Sequence, residues 1–213
     1  PEVALAATLA SSAPLTSAAA LPRLARCQHA DLPAAEVEGL SRLTRLTSLI
    51  LNRLAGGLTG PQGAVRLARA LPNLTGLKEL SFNGRHRWGD SASLASAVAG
   101  LPSLSRLEWT LPRLDEAAGI VSVCLAAATG LKMLWLGGPG AALPPAVLLA
   151  LTRLRGLEEL LYTKDVPVAA PVLSAWAQHL TCLERLCLAC CPPAADRACL
   201  SRLTRLTYLM LWD

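Results

Sequence analysis

Cysteine and histidine are the residues of this chain best suited to chemistry, and their spacing narrows what that chemistry could be. The 213 residues include seven Cys and three His. Five of the Cys crowd into Cys182, Cys187, Cys190, Cys191 and Cys199, and Cys187 and Cys190 have the C-x-x-C spacing that zinc sites use. A closed zinc site needs four donors, yet no second C-x-x-C and no paired His follows, and His179 is the only candidate partner. Packing thiols, with no metal and no cofactor, are therefore expected; a zinc site, or a disulfide from Cys190 to another member of the cluster, are the competing readings. An odd, unpaired set favours a reducing cytosol or nucleus, and an intracellular, cytoplasmic location is expected.

Catalysis finds no footing. A nucleophile needs a base within hydrogen-bond reach, and His29, His86 and His179 lie far apart with no Ser or Cys at a familiar spacing. Phosphate-loop, H-E-x-x-H and dinucleotide signatures are missing. The run Gly137-Gly138-Pro139-Gly140 lacks the Lys and Ser/Thr of a phosphate loop and reads as a turn after a strand. The expectation is a protein that is not an enzyme and has no catalytic residues.

The elements that would position any site come from a leucine phrase, L-x-x-L-x-(L/F/W/Y). Its middle Leu falls at Leu49, Leu80, Leu107, Leu134, Leu160, Leu186 and Leu209, with gaps of 31, 27, 27, 26, 26 and 23 residues, and a weaker copy runs from Leu21 to Arg26. Within Leu46 to Asn52 the residues Leu49 and Leu51 alternate with Ser48, Ile50 and Asn52, which predicts a short strand with one apolar side. Between strands the period becomes helical. Ala64, Leu67, Ala68 and Leu71 stand at i, i+3, i+4 and i+7, as do Leu94, Ala97, Val98 and Leu101. The same holds for Val121, Cys124, Leu125 and Ala128, for Val147, Ala150, Leu151 and Leu154, and for Leu173, Trp176, Ala177 and Leu180. Helix starts are marked by Pro61, Asp90-Ser91, Asp115-Glu116, Pro144-Pro145 and Pro192-Pro193.

A phrase of this spacing returning every 20–29 residues or so resembles the leucine-rich repeat family, and the resemblance covers essentially the whole chain. It implies an α/β fold, a solenoid of about seven or eight repeats with a curved parallel sheet inside and helices outside. The segment Leu58 to Gly84 resembles the ribonuclease-inhibitor type of repeat, and the later, shorter repeats resemble intracellular forms. At the family's Asn/Cys position the copies carry His29, Leu54, Arg85, Pro112, Pro139, Asp165 and Cys191, so there is no Asn ladder.

One leucine-rich repeat domain over residues 1–213 is expected, since no linker or charge run divides the chain. The missing initiator Met and uncapped ends are read as those of a fragment of a longer protein, with further domains or repeats of the same chain. The first 22 residues lack the basic start of a signal peptide. The longest uncharged apolar runs, about a dozen residues, fall short of the roughly 20 that cross a bilayer, so no membrane insertion is expected. The net charge of +5 would invite nucleic acid if it clustered, but Arg42, Arg45, Arg66, Arg69, Arg153, Arg155, Arg202 and Arg205 recur at repeat-equivalent places. A solvated outer face, and no nucleic-acid partner, is the reading.

Function then falls to the strand side chains that do not enter the core. The middle column is expected to run Ala25, Ile50, Ser81, Glu108, Trp135, Leu161, Cys187, Met210, flanked by Arg23, Ser48, Glu79, Arg106, Met133, Glu159, Arg185, Tyr208 and by Cys27, Asn52, Asn83, Thr110, Gly137, Thr163, Ala189, Trp212. Eight strands about 4.8 Å apart make a wall on the order of 35 Å long, which suits a protein partner better than a metabolite. The protein-binding candidates are Met133, Trp135, Leu161, Tyr208, Met210 and Trp212, with Glu108 beside them, because Trp and Tyr dominate interface energetics. Ser48, Asn52, Ser81, Asn83 and Thr110 make the other half of the wall small and polar. The resemblance implies a non-catalytic interaction scaffold, for which the cytoskeleton or axoneme is one setting. The alternatives are the recognition arm of a ubiquitin ligase, or a GTPase activator of the Ran-activator type acting through Asn83 to Trp88.

Overall fold

In a computed structural model of the protein, the structure describes residues 26–29, 37, 39–51, 61–83, 91–110, 122, 125–138, 143–164 and 166–212. Eight strands form one sheet in chain order: β1 (Arg26–His29), β2 (Ser48–Leu51), β3 (Glu79–Asn83), β4 (Arg106–Thr110), β5 (Met133–Gly137), β6 (Glu159–Thr163), β7 (Arg185–Leu188) and β8 (Tyr208–Leu211). Every neighbouring pair is parallel. Parallel neighbours require a crossover, and the helices Pro61–Ala70, Ser91–Ala99, Pro145–Ala150, Ala170–His179 and Ala194–Arg197 lie in those crossovers. The expected α/β solenoid is the fold adopted.

Helix starts follow the sequence signals. Pro61, Ser91 and Pro145 open their helices, and Pro193 immediately precedes Ala194. Proline suits a first helical turn because its missing N–H would have no intrahelical acceptor there. The Asp115-Glu116 signal lies outside the described residues.

Register builds the core. Leu49, Leu80, Leu107, Leu134, Leu160 and Leu186 align across six strands, and all are fully buried. The row two residues on is Leu51, Phe82, Trp109, Leu136, Tyr162 and Leu188, equally enclosed. Each buried Leu withdraws enough apolar area to contribute about 1.5–3 kcal/mol. Helix residues Leu67, Leu94, Val147, Leu173 and Trp176 close the layer from the other side. The Trp176 indole N–H donates to Leu148 O at 2.7 Å, tying two successive helices together, and its ring meets Tyr162 edge-on.

Before each of the later strands a single carbonyl serves two donors. Thr47 O accepts from Lys78 and Glu79, Lys78 O from Ser105 and Arg106, Ser105 O from Lys132 and Met133, and the pattern continues through Lys132, Glu158 and Glu184. Stacking thus satisfies the turn backbone as well as the side chains.

Two sequence expectations are corrected here. The first strand pairs Arg26 with Ser48, Cys27 with Leu49, Gln28 with Ile50 and His29 with Leu51. The copy anchored on Leu24 is therefore three residues out of phase, and Gln28 and Arg26 replace Ala25 and Arg23 in the wall columns. The true phrase is Leu24-x-x-Cys27-x-His29, which a search for leucine cannot find because Cys holds the anchor position. The second correction concerns Leu209. It aligns with Leu186, but β8 has a sheet neighbour on one side alone among the described residues, and Leu209 is 45 % exposed.

Candidate functional site: the open face of the sheet

Because strand side chains alternate, the residues between the buried rows face away from the helices. Aligned by register, the middle column is Gln28, Ile50, Ser81, Glu108, Trp135, Leu161, Cys187 and Met210, and its flank is Arg26, Ser48, Glu79, Arg106, Met133, Glu159, Arg185 and Tyr208.

From Ser48 to Tyr208 the flank carries polar contacts on either side of Met133. The Ser48 hydroxyl donates to Glu79 Oε2 at 2.8 Å, and Arg106 lies 3.6 Å from the same carboxylate. Glu159 pairs with Arg185 at 3.6 Å, and the Arg185 guanidinium stands over the Tyr208 ring, 5.1 Å from its centre. Met133 occupies the interval between Arg106 and Glu159. Each ion pair is partly solvated and worth little in stability, roughly 0–1 kcal/mol. Their consequence is orientation: Arg106 is drawn toward Glu79 and Glu159 toward Arg185, one to either side of Met133.

Trp135 is held down. Its indole N–H donates to Thr163 Oγ1 at 3.0 Å, so the ring leans toward the following strand and is half-buried. Gly137 is what permits this. A Cβ there would fall onto Thr163 Oγ1 and come within 2.9 Å of Trp135 Nε1. Leu161, beside Trp135 in register, is also half-buried, as are Met133 and Met210, while Tyr208 and Trp212 are exposed. The Trp212 N–H donates to Leu188 O, which continues the strand direction past β8.

The polar half of the wall differs from expectation. Ser48 and Ser81 are buried rather than open to a partner. The carboxylate of the next repeat covers each one, Glu79 over Ser48 and Glu108 over Ser81, the latter through a hydrogen bond of 2.9 Å. A small hydroxyl in a parallel sheet leaves a hollow that a long neighbour fills, so Glu108 stands half-exposed beside Trp135. Cys187, also expected on the open wall, is buried between Leu161 and Met210. Asn52 lies outside the described residues.

The cysteine cluster does not converge. Cys182, Cys187, Cys190, Cys191 and Cys199 are free thiols. Cys187 is buried in the middle column of the sheet, and that burial pushes its thiol above the ordinary cysteine range. Cys199 packs half-buried against the core, donates to Asp196 O at 2.9 Å, and is likewise pushed up by burial. Cys182 lies 3.9 Å from an Arg205 nitrogen. Among the described residues no three His, Cys, Asp or Glu gather as a metal site would require. The loop from Gly84 to Trp88, on which a GTPase-activator reading depends, lies outside the described residues, as do Cys124, Pro139 and Gly140.

Sequence reasoning placed Thr163 and Gly137 on the wall but missed that they position Trp135. The one available signal was the Gly itself, since glycine in a strand often marks a close approach, and Gly137 closes β5.

These features define an α/β solenoid in which a leucine-rich phrase and a parallel strand recur in phase from β2 to β8, with helices in the described crossovers. No protein-family model matches the chain, and no curated protein matches its sequence. Solved structures similar to it include an internalin from Listeria monocytogenes, 18% identical over 88% of this chain and 66% of that one, with a TM-score of 0.39. A leucine-rich repeat protein of Leptospira interrogans is 15% identical over 90% of this chain and 67% of that one, with a TM-score of 0.29. The chain thus spans about two thirds of the length of either. Among the described residues no helix is long and apolar enough to cross a membrane.

Proposed function

We propose that the protein is a non-catalytic interaction scaffold that holds a protein partner on the open face of its sheet. The observation that carries this reading is the run of large apolar side chains left part-exposed at the carboxy-terminal half of that face: Met133, Trp135, Leu161, Met210, Tyr208 and Trp212. Apolar groups gathered on a sheet, outside the core, are the usual mark of an association surface. Glu108 and the Glu159–Arg185 pair supply a polar rim. The Thr163 hydrogen bond to Trp135 supports the reading in a second way, since a ring already fixed in place loses little freedom on binding. The scaffold is a single repeat domain over residues 1–213, and its setting is the cytoplasm.

Cross-linking and affinity capture with the folded domain supply the partner. Trp135→Ala is then expected to weaken its binding by about 2 kcal/mol or more, near thirtyfold, while Arg153→Ala on the outer side leaves it unchanged. Equal affinity of the wild type, Trp135→Ala and Leu161→Ala, all folded, would place recognition elsewhere.

A further inference from the structure

Charges on the open face are matched with one exception. Glu79 holds Arg106 and Glu159 holds Arg185, each pair at 3.6 Å. Glu108 stands in the middle column; its Oε2 accepts from Ser81, and among the described residues no cation pairs with it. Arg106, on the same strand, is taken by Glu79. Arg26, the remaining cation of the two columns, lies on β1, three strands from Glu108 on β4. At about 4.8 Å per strand that is about 14 Å, beyond the reach of an exposed charge at physiological salt.

Glu108 and Trp135 are partners in register, yet they lean apart. The carboxylate reaches back to Ser81 on β3, and the indole reaches forward to Thr163 on β6. The interval between them is bounded by a carboxylate on one side and an aromatic ring on the other, both half-buried. While the wall is open, water solvates this carboxylate. A partner lying over Trp135 and Leu161, the next residues of the same column, takes that water away. A desolvated charge is costly unless an opposite charge meets it. Whatever covers the apolar run must therefore also answer Glu108.

Resting on the open-face reading above, we propose that the partner is a basic and apolar segment that seats an arginine or lysine between Glu108 and Trp135, with its neighbouring apolar side chains on Met133 and Leu161. A guanidinium suits the place best: its edge donates to the carboxylate while its flat side stacks on the indole. The Trp135 N–H is already committed to Thr163, so the ring offers its face rather than its donor. The chain's net charge of +5 attracts acidic partners at a distance. On this face, however, an acidic segment meets an unanswered carboxylate, and like charges brought together out of water reject it.

Selection from a random dodecapeptide display library on the immobilised chain, followed by fluorescence anisotropy of the strongest binder, tests the proposal. The wild type is expected to select peptides with Arg or Lys beside Leu, Phe or Trp. Glu108→Gln keeps the shape of the side chain and an acceptor for Ser81, and is expected to bind the selected peptide about tenfold more weakly. Glu184→Gln, a carboxylate paired with Arg205 three strands further on, is expected to leave binding unchanged. Should Glu108→Gln fail to fold, citrulline in place of the peptide's arginine gives the same reading. Equal affinity for the Gln variant or the citrulline peptide, with binding still weakened by Trp135→Ala, overturns the basic partner and leaves the open-face reading standing. Binding indifferent to both Glu108→Gln and Trp135→Ala overturns the two together. Selection of acidic or uncharged peptides, or of none, also overturns the proposal.

Discussion

Leu134 and Leu209 occupy the same place in the leucine phrase, yet truncating them should have very different consequences. Leu134 has no exposed surface and lies between Leu107 and Leu160 in register, with packed neighbours on both sides. Removing its branched end leaves a hole the flanking repeats cannot collapse into, so Leu134→Ala should cost about 3–4 kcal/mol, within the usual 2–5 for buried Leu. Leu209 is 45 % exposed and aligns with Leu186 alone. About half its transfer energy is at stake and no closed cavity forms, so Leu209→Ala should cost about 1 kcal/mol. Urea titration monitored by circular dichroism measures both, with Arg153→Ala as a surface control expected within about 0.5 kcal/mol. Equal losses at Leu134 and Leu209 would refute the argument that neighbouring repeats share each core leucine.

Gly137→Ala should destabilise the fold by about 1–3 kcal/mol through overpacking, and should shift tryptophan fluorescence as the added methyl displaces Trp135. Thr163→Val should cost about 1 kcal/mol by removing the acceptor of the Trp135 indole. Burial raises the Tyr162 phenol above its ordinary value, although the Leu143 N–H donating to its oxygen works the other way. The folded state therefore holds this proton after the unfolded chain has released it, and stability should fall as pH rises beyond about 10, less steeply in Tyr162→Phe. Because burial also holds the Cys187 thiol up, iodoacetamide at pH 8 should alkylate Cys187 more slowly than cysteine in a short peptide, which mass spectrometry of digested samples measures.

Much of the fold was legible in advance because a solenoid is locally encoded. Each repeat contacts its neighbours alone, so a phrase such as Leu131-Lys132-Met133-Leu134-Trp135-Leu136 already states which residues pair across strands. The same logic failed at β1, where Cys27 stands in for leucine and hid the phase. Site residues were legible as a column but not as a surface. Alternation places Ser81, Cys187 and Trp135 on one face, and says nothing of Glu108 folding over Ser81 or of the closure around Cys187.

The sequence by itself determined the period, the strand and helix order, the buried leucine rows and the apolar character of the carboxy-terminal wall, since these depend on residue type and spacing along the chain. Tertiary structure alone decided that Trp135 lies against Thr163 over Gly137, that Leu209 is part-exposed, and that Glu108 folds over Ser81. Those facts depend on side-chain direction and on residues some 25 positions away in sequence, which stacking brings together and periodicity does not describe.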